Sequence, residues 1–238
     1  MIAKTTHIKD TKNLVGSLPA VRYTEPQYLY IAMANARCPN AELYIKEGDH
    51  VNSCQVIGMR HAAFFDQPIH ATCSGTFVGL EKHYHRNGKL TDFIKIENDF
   101  KDTLDPSVKQ RTPEEIAALS KDDMTEIVKN CALVGLGGSS FPTYIKFQTN
   151  KPIDVILVNG IECEPYITAD HRLMLEYPYR IMDAIKYAMQ AFKCNKAKIC
   201  IKSKYKDIKQ VYEQILKEYE GSGIELCCVG NYYPQGWK

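Results

Sequence analysis

The sequence predicts a mixed fold, with a small antiparallel β sandwich or barrel in the first half and a parallel α/β unit in the second. Up to about residue 99, short runs of branched and aromatic residues alternate with glycine-containing turns, which is the pattern of many short strands. After residue 112, strand-like runs are instead separated by helix-length segments, and this spacing favours parallel β-α-β units. At about 100–200 residues per domain, a chain of 238 residues allows two domains, which we place at 1–105 and 106–238.

The first half contains five candidate strands, each rich in residues that suit a pleated, half-buried surface. Turn residues separate them, among them Gly48, Gly75 and the Asn87–Gly88 pair. The candidate strands are residues 28–32, 41–45, 55–57, 75–80 and 93–96.

The second half opens with a helix-start signal. Thr112 is a candidate N-cap, Pro113 suits the first helical position, and Glu115 can close a capping box. Ligands of parallel sheets lie at the carboxyl ends of the strands, so segments 159–162 and 230–231 are candidate binding loops. The later helices are predicted at about 122–131, 170–177, 178–192 and 204–219, and the strands at 154–158, 197–201 and 224–229.

Composition and charge exclude several classes of protein. The formal net charge is +2 and there is no basic tract, which argues against a nucleic-acid partner. No apolar run approaches the roughly 20 residues that a membrane-spanning helix needs. The N-terminus has no apolar segment of the signal-peptide type, so we expect a cytoplasmic protein.

The nine cysteines point to reduced thiols rather than to a disulfide framework. Their number is odd, their spacing is irregular, and no export signal accompanies them. No C-x-x-C pair or ferredoxin-like run occurs, so we predict neither a metal site nor an iron–sulfur cluster within this chain.

A loop with three glycines, Gly135, Gly137 and Gly138, is the strongest local signal for a ligand. Clustered glycines allow backbone amides to converge on an anion, and a helix predicted from about Ser139 would add its positive end. Lys146, expected in the second turn of that helix, could supply a cation. The alternative is a tight loop with a serine N-cap and no ligand.

A second polar loop follows the predicted strand 154–158. Asn159, Glu162 and Glu164 lie at the ligand-facing end of that strand, where they could bond the hydroxyl groups or ring nitrogens of a cofactor. The alternative is a solvated surface loop, which is the more common role of exposed carboxylates. No residue is assigned a catalytic acid, base or nucleophile role.

Taken together, these loops resemble the RnfC subunit of the Rnf electron-transport complex. The resemblance rests on residues 135–146 and 159–170, and RnfC is itself similar to the NADH- and flavin-binding subunit of respiratory complex I. Residues 41–58 and 68–76 look like the family's barrel-sandwich hybrid domain of lipoyl/biotinyl type. Residues 233–236 look like its third site loop. Within the family, the soluble relative associated with D-proline reductase looks most similar.

The resemblance implies FMN and NADH as cofactors, bound by a Rossmann-like α/β domain. The glycine loop and Lys146 would hold the flavin phosphate region, and the loop after the first parallel strand would contact flavin and nucleotide. Phe141 would stack on the adenine. The implied cofactor-binding residues are Gly135, Gly137, Gly138, Phe141, Lys146, Asn159, Glu162, Glu164 and Gly236.

The sequence departs from the family at three places. Ser139 and Ser140 stand where the family has Ala-Gly, which adds bulk where a flavin or nucleotide approaches the backbone. Ile161 stands where the complex I relatives have an acid, which Rnf-type proteins also lack. After Gly236 the chain reads Trp237-Lys238, so we expect the flavin domain to be truncated at its C-terminus, without the family's later β-grasp and cluster-binding segments.

Two functional hypotheses follow from these features. In the first, the protein passes electrons from NADH through FMN to a redox partner, either a reductase such as D-proline reductase or a membrane complex of Rnf type. It would then be cytoplasmic or peripheral at the cytoplasmic face of the membrane. In the second, the chain is a non-catalytic docking module that has lost its cofactor.

Overall fold

The computed structural model describes Thr6 and residues 8–21, 26–35, 37–85, 88–136 and 140–235. Contacts between residues group the chain into two units. One is Arg22–Thr149, and the other combines Met1–Val21 with Asn150–Lys238. Residues 106–149, which were predicted to belong to the second domain, thus fall in the same unit as residues 22–105. The division into two domains between residues 105 and 106 stays a prediction.

Strands of the Arg22–Thr149 unit form two antiparallel sheets around one core. A four-stranded sheet has the order β1-β7-β6-β3 and a three-stranded sheet the order β2-β4-β5. Buried residues from both sheets meet between them, which confirms the predicted sandwich-type fold. The strands are β1 Tyr28–Ala32, β2 Asn40–Leu43, β3 His50–Val51, β4 Val56–His61, β5 Asp66–His70, β6 Gly75–Tyr84 and β7 Leu90–Asn98.

Two of these strands were not predicted, and the reasons differ. Strand β3 has only two residues, too few for a recognisable pattern. Strand β5 carries Pro68, which argues against a central strand, but β5 lies at the edge of its sheet, where a missing ladder donor is tolerated.

In the part of this unit that the structure describes, three short helices follow the strands: α1 Pro113–Ala117, α2 Lys121–Asn130 and α3 Thr143–Phe147. The predicted capping box is present, because the Thr112 hydroxyl accepts a hydrogen bond from Glu115 N and the Glu115 carboxylate accepts one from Thr112 N. A second capping box, between Ser120 and Asp123, starts α2.

The second unit is built on a parallel sheet, as predicted. Its strands are β8 Ile156–Gly160, β9 Ala197–Lys202 and β10 Ile224–Val229, in the order β10-β9-β8. Strand β8 starts and ends two residues later than predicted, whereas β10 has the predicted bounds. The helices are α4 Ala169–Glu176, α5 Pro178–Phe192 and α6 Lys206–Glu218.

Helices cover one face of this sheet. Ile199 and Ile201 of β9 are fully buried against Met182 of α5 and Ile208 and Tyr212 of α6. Since side chains alternate along a strand, Lys198, Cys200 and Lys202 point to the opposite face. Across the described ranges, no helix has both the length and the apolar character needed to cross a membrane.

An N-terminal segment, residues 8–21, is held on the α/β unit by a buried ion pair. Lys12 Nζ lies 3.1 Å from Glu162 Oε2, and the two side chains are only 7% and 4% exposed. The same ammonium group donates to the Ile167 carbonyl. Tyr166 N donates to the Asp10 carbonyl at 2.7 Å, and Ala20 N donates to Glu176 Oε1 at 2.9 Å.

Replacing Lys12 with methionine should lower the free energy of unfolding by about 3–5 kcal/mol, because Glu162 would stay buried without its cation. Urea titrations followed by far-UV circular dichroism measure the loss. The double variant Lys12→Met/Glu162→Gln should lose less than Lys12→Met alone, since no unpaired charge remains buried. Equal losses in the single and double variants would contradict the pairing.

A hydrogen-bonded carboxylate links the ends of β3, β6 and β7. Asp99 Oδ1 accepts from the fully buried Ser74 hydroxyl at 2.7 Å, and Asp99 Oδ2 lies 3.0 Å from His50 Nε2. Lys101 N also donates to Asp99 Oδ1. The bond from Ser74, followed by those from His50 and Lys101, lowers the pKa of Asp99 to about 2.

Stability of the Arg22–Thr149 unit should therefore depend on Asp99 in acid. The folded-state pKa lies below the unfolded value of about 4, so the stabilisation is present above that pH and is lost as the pH falls toward the folded pKa. Urea midpoints measured between about pH 4 and about pH 2 should fall less steeply in Asp99→Asn than in wild type. The exposed Asp102→Asn is the control, and an unchanged slope in Asp99→Asn would refute the assignment.

Candidate functional site

The carboxyl edge of the parallel sheet gathers the loops that follow β8, β9 and β10. Gln235 N, after β10, lies 3.3 Å from Cys163 Sγ, after β8. Lys204 N, after β9, donates to Asn231 Oδ1 at 3.1 Å. The three loops are thus tied to one another at the edge where the sequence predicted ligand binding.

Asn159 and Glu164 are exposed at this edge. Asn159 lies within β8 rather than after it, because the strand is displaced by two residues from its predicted position. Its side-chain oxygen accepts a hydrogen bond from Ile161 N at 3.1 Å, which turns the chain out of the strand. In the register of the sheet, Asn159 lies beside Cys200, on the face opposite the helices.

Glu162 has a different environment from its two neighbours in the motif. It is 5% exposed, and while Oε2 pairs with Lys12, Oε1 accepts a hydrogen bond from Asp170 N at 2.9 Å. Asp170 is the second residue of α4, whose N-cap residue Thr168 makes no side-chain capping bond. Glu162 therefore caps α4 from a distance, and both its oxygens are bound by protein donors.

The glycine loop is closed by backbone pairing. Gly135 N donates to the Phe141 carbonyl at 2.9 Å, and a bridge joins Val134 to Pro142. The Gly135 amide is thus used within the loop. Gly137, Gly138 and Ser139 lie outside the described residues.

The helix after this loop begins at Thr143 and not at Ser139, which corrects the prediction. Pro142 disfavours the helical conformation at the preceding Phe141, and Ser140 has a left-handed φ of 49°. The helix has only five residues, so Lys146 is its fourth residue and does not lie in a second turn. A single turn supplies little dipole, and an anion at this loop would depend on the exposed Lys146 and on backbone amides.

Phe141 is half-buried, and the guanidinium carbon of Arg37 lies 5.4 Å from its ring centroid. Arg37 therefore lies over the ring to which the sequence analysis assigned adenine stacking. Gly135, Phe141 and Lys146 belong to the Arg22–Thr149 unit, whereas Asn159, Glu162 and Glu164 belong to the other unit.

Sequence reasoning missed the lysines of the α/β edge and their partners from the N-terminal segment. Lys202 ends β9 and Lys204 follows it, and both line a cavity of about 300 Å³ with residues of the segment 8–13. Burial lowers the pKa of Lys204, which pairs with Asp10. The available signal was that Lys202 directly follows the predicted strand 197–201, at a carboxyl end.

Gly236 lies outside the described residues. All nine cysteines are free thiols. Among the residues that the structure describes, no group of three or more His, Cys, Asp or Glu side chains is arranged to hold a metal ion.

Two family models match this chain, one in its first half and one in its second half. The model of the RnfC barrel sandwich hybrid domain matches residues 2–101, and the model of the Nuo51 FMN-binding domain matches residues 128–238. The two matches follow the chain order of the two predicted parts, and residues 102–127 lie outside both matches.

Curated relatives carry a similar sequence over most of this chain's length. A subunit of the Na⁺-translocating ferredoxin:NAD⁺ oxidoreductase complex of Acetobacterium woodii is 35% identical over 196 residues, which is 81% of this chain and 43% of that protein. The corresponding subunit of the proton-translocating ferredoxin:NAD⁺ oxidoreductase complex of Clostridium ljungdahlii is 30% identical over 232 residues, 97% of this chain and 50% of that protein. The chain thus spans half or less of the length of these relatives.

A solved structure of an NAD⁺-reducing [NiFe]-hydrogenase in the H₂-reduced state also matches, at 21% identity and a TM-score of 0.44, over 48% of this chain and 22% of that chain. The similarity to the Clostridium ljungdahlii subunit covers 97% of this chain and therefore extends over both domain matches. The two domain matches confirm that the chain is RnfC-like, with an RnfC barrel sandwich hybrid domain followed by a Nuo51 FMN-binding domain.

Proposed function

We propose that this chain is a flavin-dependent electron-transfer subunit, which binds FMN and NADH and passes electrons to a partner redox protein. The observation that carries the proposal is the match of residues 128–238 to an FMN-binding domain, with Asn159 and Glu164 exposed at the carboxyl edge of its parallel sheet. When bound, FMN supplies the step between two-electron hydride transfer and one-electron transfer. The relatives named above are subunits of ferredoxin:NAD⁺ oxidoreductase complexes.

The side chains at these loops fit a flavin and a dinucleotide in their chemistry. The Asn159 side chain offers an amide donor and acceptor for ring nitrogens and carbonyl groups. The Glu164 carboxylate is exposed and suits the hydroxyl groups of a ribose. Lys146 is exposed and suits a phosphate.

Glu162 receives a different role in this proposal from the one that the resemblance implied. Because Lys12 and Asp170 N occupy its two oxygens, Glu162 orients the loop between β8 and α4 and does not donate a free carboxylate to the flavin. Asn159 and Glu164, on either side of it, are thereby held at the sheet edge. For the glycine loop, Gly135, Gly137, Gly138 and Phe141 remain proposed cofactor contacts, as does Gly236.

The electron acceptor is proposed from the relatives. The relatives favour an Rnf-type complex as the partner, and the chain would then be peripheral at the cytoplasmic face of the membrane. D-proline reductase is a more specific alternative partner, which is based on the sequence resemblance alone.

A docking module without flavin is the second candidate. It is favoured by two observations: protein donors already occupy Glu162, and Arg37 lies over the Phe141 ring. Such a module would bind a partner but neither FMN nor NADH. A flavin titration separates the two candidates.

Titration of FMN with the purified chain should quench flavin fluorescence saturably. Lys146→Ala should weaken the affinity by about tenfold to 100-fold, because it removes a charge-assisted bond to the phosphate. Lys109→Ala, which removes an exposed lysine from the same unit, should leave the affinity unchanged. Absence of quenching in wild type would favour the docking module.

Glu164→Gln should raise KM for NADH with little change in kcat, since the lost interaction is made equally in the ground state and the transition state. NADH-dependent reduction of ferricyanide by the FMN-loaded chain measures both constants. The exposed Glu225→Gln is the control. If KM stays at the wild-type value while FMN still binds, Glu164 does not contact the nucleotide.

A further inference from the structure

One face of the parallel sheet carries two thiols side by side. Cys200 of β9 and Cys227 of β10 are directly opposite each other in the register of the two strands. They lie on the face away from the helices, because Ile199 and Leu226, the residues before them, pack into the core that the helices cover. Both cysteines are free thiols and both are partly exposed, so a small reagent can reach them.

The spacing of the two strands suits a covalent bond between the sulfur atoms. Neighbouring strands lie about 4.7–4.9 Å apart, and cysteines joined by a disulfide have Cα atoms about 4.4–6.8 Å apart. Side chains already interact across these strands two residues earlier on the same face, where Lys198 Nζ lies 3.6 Å from Glu225 Oε2. Strand β10 is at one edge of the described three-stranded sheet, so a small adjustment of its position affects one ladder only.

The electrostatic environment of Cys200 shows that the two thiols interact. Burial is the largest effect that raises the pKa of Cys200, and Cys227 raises it further through its charge and a side-chain hydrogen bond. The positive charge of Lys198 acts in the opposite direction without cancelling these effects. A raised pKa keeps a thiol protonated at neutral pH, so Cys200 is the poorer attacking group of the pair and is suited to the second, resolving step.

We propose that Cys200 and Cys227 are a redox-active dithiol, which a low-molecular-weight disulfide oxidises to an intramolecular disulfide bond. The Cys227 thiolate attacks one sulfur of the reagent and forms a mixed disulfide, while the other sulfur leaves as a thiolate and takes up the proton that Cys227 lost. Cys200 then attacks the Cys227 sulfur, and the second reagent thiol leaves with the proton of Cys200. Two electrons pass from the protein to the reagent.

Cys228 provides the internal comparison for this pair. It follows Cys227 directly and is exposed, but it lies opposite Ile201 in the register, on the other face of the sheet from Cys200. If exposure alone decided which cysteine is oxidised, Cys228 would react in place of Cys227. The register of β9 and β10 instead assigns the bond to Cys227.

Equilibration of the whole chain with mixtures of reduced and oxidised glutathione tests the proposal. The remaining thiols are alkylated, and the chain is digested with trypsin without reduction. Cys200 is then in the peptide 199–202, and Cys227 and Cys228 are in the peptide 218–238, so mass spectrometry detects the cross-link directly. Wild type should give a cross-link between these two peptides, and dithiothreitol should remove it.

Two serine variants distinguish the neighbouring cysteines. Cys227→Ser should lower the yield of the cross-link by about tenfold or more, because Cys228 does not face Cys200. Cys228→Ser is the matched control and should leave the yield within about twofold of wild type. Cys200→Ser should keep glutathione on Cys227 as a mixed disulfide, since the resolving thiol is absent.

Unfolding the wild-type chain in urea supplies a control that needs no substitution. Without the register of the strands, this cross-link should fall to the level of random pairing among the nine cysteines. Far-UV circular dichroism checks that each variant is folded.

The proposal is overturned if wild type gives no such cross-link at any glutathione ratio, or if the cross-link persists in Cys227→Ser or disappears in Cys228→Ser. Absence of glutathione on Cys227 in Cys200→Ser would contradict the assigned order of attack. The experiment requires neither FMN nor NADH, so this proposal and the proposed function can fail separately.

Discussion

The buried ion pair between Lys12 and Glu162 is the constraint on which the candidate site depends. It joins residues 150 positions apart in the sequence and fixes the segment 8–21 against the end of the parallel sheet. The same carboxylate caps α4 through Asp170 N, so one side chain sets both the N-terminal segment and the start of a helix. Two buried charges are stable together only when each is satisfied, so this pair holds the loop between β8 and α4 against the segment 8–21.

That constraint also divides the roles within the motif from Asn159 to Glu164. Side chains at the exposed positions can contact a ligand, whereas Glu162 between them is directed into the protein. In this motif, Asn159 and Glu164 are therefore available to contact a ligand, whereas Glu162 holds the loop in place. The cavity next to it has the same origin, because residues of the segment 8–13 line it.

Local signals predicted much of the architecture. Helix α5 and strands β1 and β10 have the predicted bounds, because their composition is clear and, for α5 and β10, a Pro or Gly marks an end. The Thr112 capping box also formed as expected, since its two hydrogen bonds involve only neighbouring residues. The prediction failed where the local signal was weak or pointed to a different structure. Pro68 argued against the strand that forms as β5, and α3 begins only after Pro142.

The sequence by itself determined the two kinds of sheet, the order of the elements and the exposed polar residues at the carboxyl ends of the strands. Those properties follow from periodicity, turn chemistry and the geometry of β-α-β units, which act over short distances along the chain. Only the tertiary structure decided that Glu162 is directed into the protein and that Lys12 is its partner. Pairing of charges depends on which side chains become buried together, and burial is set by the packing of segments far apart in the sequence.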